Sequence, residues 1–286
     1  MIYLLLSILF NAVLFVIIKL FAKFNIDALQ ALVVNYFVAF FVGLLFLEVD
    51  VVPQEIMNEN WFKGSILLGF VFISTFYATT LTSQRNGLSV ASVASKMSVI
   101  IPITLGVFLY NETLNAIKIT GILLALVAVY FTSKKETGEV QKATNLLYPI
   151  LVFIGAGTID SSLKYLQTFH VASDKISLFS SITFLCAFFV GLLILLFLSI
   201  QGKIKFSGRN ILGGIALGLP NYFSLYFLVK MLEAKAFESA TLFTIHNIAI
   251  VIVSTFVGIL FFKEQISIRN AFGIGLALFA LYLVTY

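Results

Sequence analysis

The sequence predicts an all-α membrane protein that crosses the bilayer ten times, as two inverted repeats of five helices each. Three observations carry this expectation: a composition far outside the soluble range, a succession of apolar runs each long enough to span a bilayer, and a set of segments that recur in the same order in both halves. Of the 286 residues, 60% are hydrophobic and 11% charged, whereas a soluble globular domain carries roughly 45–50% apolar and about 25% charged residues. Mean hydropathy is +1.07, and a soluble core would have no room for 31 Phe.

A bilayer core takes about 20 mainly apolar residues per helix. Runs of that kind fall at 2–22, 28–47, 62–83, 88–109, 115–132, 147–169, 176–199, 210–231, 238–262 and 267–285. The polar breaks between them are short, the longest being 48–60, 133–145 and 201–210. The first run has no positive segment ahead of it and no A-x-A-like cleavage site, and Lys19 and Lys23 come at its end. It is therefore expected to be a retained helix and not a signal peptide. The single Cys186 lies within an apolar run, and neither a CxxC nor a Cys/His metal spacing occurs, so no metal and no cofactor are expected. The net charge of +5 is spread singly or in small clusters between the runs. That distribution points to membrane topology and to no nucleic-acid partner.

Repetition sets the architecture. Residues 39–45 read AFFVGLL, and 187–193 read AFFVGLL again, 148 residues later. Gly64, Gly69 and Tyr77 recur as Gly213, Gly218 and Tyr226 at a spacing of 149, and Lys19 recurs as Lys164 at 145. Near the end of each half, GILLALVAVY (121–130) and GIGLALFALY (273–282) agree at seven of ten positions, at a spacing of 152. Apolar helices share a small alphabet, but four ordered matches with slowly drifting spacing point to duplication. The expected division is a first five-helix repeat over 1–133, a linker over 134–145 and a second five-helix repeat over 146–286. Because five is odd, the second repeat enters the bilayer in the opposite sense, an arrangement that places a site near the midplane between the repeats. The breaks on the linker side hold ten Lys and Arg against five on the other side, which favours a cytoplasmic linker with both termini outside.

The stretch from Ser89 to Ser95 (SVASVAS), then Pro102, Asn111-Glu112 and the Gly121 helix, and in the second half Phe262-Lys263-Glu264 and the Gly273 helix, resemble the EamA-like branch of the drug/metabolite transporter superfamily. That family usually has Gly-Glu before the fifth helix of each half; here Asn111 and Lys263 stand in place of the Gly. The resemblance covers nearly the whole chain. It implies a ten-helix inverted repeat around a central cavity, and a transporter whose substrate could be an amino acid, a sugar, a nucleotide derivative or a drug. It also implies cytoplasmic termini, opposite to the charge count.

Ionisable groups within a span cost about 2.5–3.5 kcal/mol each at the helix centre and are candidates for function by default. Lys96 lies too deep in the fourth run to snorkel, with Ser89 and Ser92 on its face at i−7 and i−4. It could bind a substrate carboxylate or phosphate, exchange a proton, or serve as a structural Lys bonded to backbone carbonyls. His246, with Asn247 beside it, occupies the corresponding depth of the second half. It could orient substrate or relay protons, or be satisfied by a neighbouring helix. Asp160 and Lys164, one turn apart, are candidates for carrying a coupling proton; alternatively they form a self-neutralising pair, with Lys19 and Lys164 snorkelling at helix ends. Tyr77 and Tyr226, with the hydroxyls of Ser74, Thr75 and Ser224 nearby, and Asn221 after Pro220 could line the cavity or serve interhelical packing. Glu112 and Glu264, at the mouths of the helices that follow them, are expected to cap those helices, with a gate as the alternative.

The expected function is secondary transport of a small polar or amphipathic metabolite, with an amino-acid-like molecule as first guess, by alternating access that is proton-coupled or exchanging. The expected binding set is Lys96, His246, Tyr77, Tyr226, Asn221, Asn247 and Ser92, with no catalytic residue and no metal. The expected partners are the small-molecule substrate and membrane lipids, and the expected state is a multi-pass monomer or homodimer in the cell (inner) membrane. No GxxxxGK[ST] motif occurs, so the chain does not itself use ATP. The convergent catalytic sets of membrane enzymes are also missing from the sequence. The alternative is a lipid-translocating or structural membrane subunit.

Overall fold

The computed structural model describes residues 2–47, 53–102, 104–105, 115–133, 146–204, 206–233 and 239–284. Among these residues there is no strand. The helices are α1 (Ile2–Lys23), α2 (Ala28–Leu44), α3 (Pro53–Asn58), α4 (Phe62–Arg85), α5 (Leu88–Met97), α6 (Ala116–Ser133), α7 (Leu147–Phe169), α8 (Ile176–Ile200), α9 (Gly208–Glu233), α10 (Ser239–Phe262) and α11 (Ile268–Val284). They fall on the apolar runs, apart from the short α3 within a polar break. α5 gives way to a turn at Ser98 and Val99 before helix resumes. The expected linker, 134–145, and Asn111 and Glu112 lie outside the described residues.

Ile2–Lys23, Phe62–Arg85, Ile176–Ile200 and Gly208–Leu228 are long and apolar enough to cross a membrane. Ala28–Leu44, Leu88–Pro102, Ile119–Ala128, His246–Phe262 and Ile268–Leu283 are shorter apolar helices. The surface is that of an integral, multi-pass membrane protein: Leu67, Leu212 and Phe197 are 72%, 68% and 62% exposed, while Asn35, Ser92 and Ser181 are fully buried. Lipid tolerates apolar side chains on the outside, but polar groups must find partners within the protein. The hydroxyls of Thr79, Thr80 and Thr82 accordingly donate to the carbonyls of Thr75, Phe76 and Ala78 one turn back.

Between helices, where lipid offers no hydrophobic drive, close approach does the work. A Cβ on Gly69 of α4 would stand 2.7 Å from the backbone nitrogen of Ala187 in α8 and 2.8 Å from Cys186. A Cβ on Gly218 of α9 would stand 2.6 Å from the Val38 side chain in α2 and 2.9 Å from the Asn35 carbonyl. The two repeated glycines thus make the same kind of contact, each across the halves: α4 on α8 and α9 on α2. The larger core cluster includes Leu32, Tyr36, Phe72, Phe184 and Leu217. A second is built from Val93, Ala128, Val251 and Ala280 of α5, α6, α10 and α11.

One end of the bundle collects the start of α5 and the ends of α1, α4 and α10. Sequence places Glu264 as the cap of α11, but Ser267 takes that role, accepting from the Asn270 N–H at 3.2 Å. Glu264 serves α5 instead: Leu88 N–H donates to Oε1 at 2.7 Å, and Ser89 N–H and Oγ approach Oε2 at 3.5 and 3.4 Å. The residue that would ordinarily cap α5 is Gly87, which has no side-chain acceptor and a φ of +114°. Lys19 does not snorkel; its Nζ lies 3.0 Å from Glu264 Oε1 and donates to the Ser83 carbonyl at 2.7 Å.

Candidate functional site

The interior holds a cavity of about 150 Å³. Its walls come from α1 (Asn11, Leu14, Phe15, Ile18), α4 (Phe72, Thr75, Phe76, Thr79), α5 (Ser95, Lys96), α7 (Ala156, Ile159, Asp160, Leu163), α8 (Phe184), α9 (Asn221, Ser224, Leu225, Leu228) and α10 (His246, Asn247). The lining follows the repeat. The four α7 positions lie 145 residues after the four of α1, the four α9 positions 149 after those of α4, and the α10 pair 151 after the α5 pair. Phe184 lies 148 residues after Tyr36, against which it stacks at 6.1 Å between ring centroids.

Within this frame the two halves differ in chemistry. Lys96 corresponds to Asn247, Asp160 to Phe15, and Asn221 to Phe72. Lys96 sits partly exposed to the cavity, and its ammonium makes no hydrogen bond or ion pair among the described residues. Asp160 is exposed and lines the cavity. Lys96 on α5 lies within its electrostatic reach. Two opposite charges therefore share one small chamber without forming an ion pair.

Polar neighbours fix the remaining walls. His246 is buried, and its Nε2 lies 2.9 Å from the hydroxyl of the fully buried Ser7. Ser7 also donates to the Ser224 carbonyl at 3.2 Å. With its one proton given to that carbonyl, the hydroxyl accepts from Nε2–H. This bridge ties α1 to α9 and α10. Asn221 donates its amide N–H to Asn35 Oδ1 at 3.1 Å, leaving its own carbonyl oxygen available to the cavity. Pro220 precedes it within α9 and removes one intrahelical donor there. Phe15, Phe72, Phe76 and Phe184 add aromatic surface to the lining.

The structure brings together Lys96, His246, Asn221, Asn247 and Asp160 from the expected set. Tyr77, Tyr226, Ser92 and Lys164 are not in the lining. Tyr77 is 40% exposed, Tyr226 stacks on Tyr222 at 5.8 Å, and Ser92 is buried with its hydroxyl on the Ser89 carbonyl. Lys164 is exposed. Sequence reasoning passed over Asn11, Ser95, Thr79 and the supporting Ser7. Asn11 carried a usable signal, a lone amide near the middle of the first span.

Residues 1–134 match the EamA-like transporter family, as the resemblance implies. An uncharacterized protein of Haemophilus influenzae is 28% identical over 279 residues, covering 95% of this chain and 93% of its own. A protein of known crystal structure superposes with a TM-score of 0.58 at 13% identity, covering 98% of each chain; that likeness is one of fold.

Proposed function

Because residues 1–134 match the EamA-like transporter family, we propose that this chain is a secondary transporter that carries a small polar or amphipathic metabolite across the cell (inner) membrane by alternating access. On this reading, 1–133 and 146–286 are inverted five-helix repeats joined by 134–145, and ten helices span the bilayer. The observation that carries the reading is the cavity itself, whose walls are drawn from both halves at positions related by the repeat spacing. Alternating access requires two such halves to rock about a shared midplane site.

The lining supports an amino-acid-like substrate. Lys96 would receive a carboxylate and Asp160 an ammonium, each a charged group without an ion-pair partner in the described structure. Phe72, Phe76 and Phe184 would meet an apolar side chain. A chamber of about 150 Å³ is smaller than the roughly 300–1,000 Å³ of drug-sized pockets, which favours a small metabolite. Asp160 is also the group best placed to carry a coupling proton; exchange of one substrate for another needs none.

The test is a thermal-shift screen of purified protein in nanodiscs against amino acids, sugars, nucleotides and amines. A ligand at 100 times its Kd adds about 2.7 kcal/mol of stability. We expect a zwitterion to shift wild type and to leave Lys96→Ala unshifted. A zwitterion that shifts both equally would sink the site, and a response to lipids alone would favour a lipid-translocating role.

A further inference from the structure

We propose that the Lys19–Glu264 ion pair is a releasable latch that holds one mouth of the cavity shut. The inference rests on the transporter reading and adds the part that closes the site on this side.

Lys19 follows Ile18, the last α1 residue in the cavity wall, and Ser83 lies one turn beyond Thr79, the last α4 residue there. The cluster therefore sits immediately outside the chamber, at the end where α1, α4, α5 and α10 meet. Glu264 belongs to the second half of the sequence; every group its carboxylate grips belongs to the first: the Lys19 ammonium, and the Leu88 and Ser89 groups at the start of α5. Lys19 extends the grip to the Ser83 carbonyl at the end of α4. One carboxylate thus ties three first-half helices to the segment after α10.

The chemistry suits release. Both side chains keep some exposure, 18% for Lys19 and 14% for Glu264, so water reaches the pair and can replace each bond as the mouth opens. A permanent strut would be better served by apolar packing, because a desolvated ion pair is often no more stable than its hydrophobic replacement. Space for the carboxylate is reserved by glycine: a Cβ on Gly258 would stand 2.7 Å from Oε2, and one on Gly87 3.3 Å from the carboxylate. At the sequence level the same residue types recur at the repeat spacings, Lys164 for Lys19 and Glu112 for Glu264.

The experiment measures opening without any substrate. Spin labels are placed at Phe24→Cys and Gln265→Cys in a Cys186→Ser background, and distances are taken by double electron–electron resonance in nanodiscs. The latch-bearing protein should give one short distance. Lys19→Met, which leaves the α5 cap in place, should raise the population of a longer distance by about tenfold or more, and Lys19→Arg should restore the short one. Glu264→Gln should behave as Lys19→Met does. Identical distributions in all variants would overturn the latch while leaving the cavity and its substrate reading untouched. Loss of folding in Lys19→Met that Lys19→Arg repairs, with no longer distance under conditions where both are folded, would make the pair a strut and overturn it as well. An opened Lys19→Met that binds none of the screened metabolites would uphold the latch and count against the transporter reading alone.

Discussion

Replacing Lys96 with Met separates a functional charge from a structural one, because the two roles give stability changes of opposite sign. The Lys96 ammonium has no hydrogen bond or ion pair among the described residues, and it stands on the wall of a chamber deep within the bundle. A Lys at the centre of a span costs about 2.5–3.5 kcal/mol on insertion scales. Water in the chamber recovers part of that cost, so its removal is expected to stabilise the protein by about 1–2 kcal/mol. Met keeps the length of the stem and its packing, which leaves the charge as the main variable. Were the ammonium instead holding backbone carbonyls, Met would strand them and destabilise the fold by about 1–3 kcal/mol. The assay is reversible unfolding in mixed micelles followed by fluorescence of Trp61, the single tryptophan, which is fully buried. Increased stability together with lost ligand response is the expected result. Lowered stability would refute the view of Lys96 as an unpaired binding charge.

Asp160→Asn should weaken binding of a zwitterion by about 10–100-fold, the worth of a charged hydrogen bond, while the matching carboxylic acid without its amine binds unchanged; isothermal titration decides. Gly69→Ala should destabilise by about 1–3 kcal/mol, because the new methyl would meet the immobile Ala187 backbone at 2.7 Å. Gly275→Ala in α11, with nothing within 4 Å of its Cβ, should be neutral or slightly stabilising in the same melting experiment. Ser7→Ala removes the hydroxyl shared by His246 and Ser224 and should lower stability by about 1–3 kcal/mol, with a shifted His246 ring resonance in NMR as its signature.

The apolar runs were legible because bilayer thickness fixes their length, and the polar groups of the site were legible because a charge or amide within such a run is costly. Lys96, His246 and Asp160 came from that rule, Asn247 from standing beside His246, and Asn221 from following Pro220. Tyr77 and Tyr226 were singled out because they repeat, but repetition marks equivalent positions and not inward-facing ones, and neither lies in the lining. Ser92 shares a helical stripe with Lys96, yet Ser92 itself is fully buried, and Ser95 lines the chamber with Lys96. The Asp160–Lys164 spacing suggested a pair, but spacing along one helix says nothing of Lys96 on another. The same blindness to tertiary neighbours hid the Lys19–Glu264 contact, whose members are separated by most of the chain.

The agreement between repeat spacing and cavity lining constrains how the chain can change length. Along the lining the offset grows from 145 in the first helix pair to 148, 149 and 151 in the later ones, yet it is constant within each helix. The changes of offset therefore fall in the connections between helices. The reason is rotational: one extra residue inside a helix turns everything beyond it by about 100°. Inserted between Asn11 and Ile18, it would swing part of the α1 wall away from the chamber and drag Lys19 away from Glu264. Point substitution can thus recolour the chamber one position at a time, as Phe15 against Asp160 illustrates, whereas its phase is locked by the helical screw.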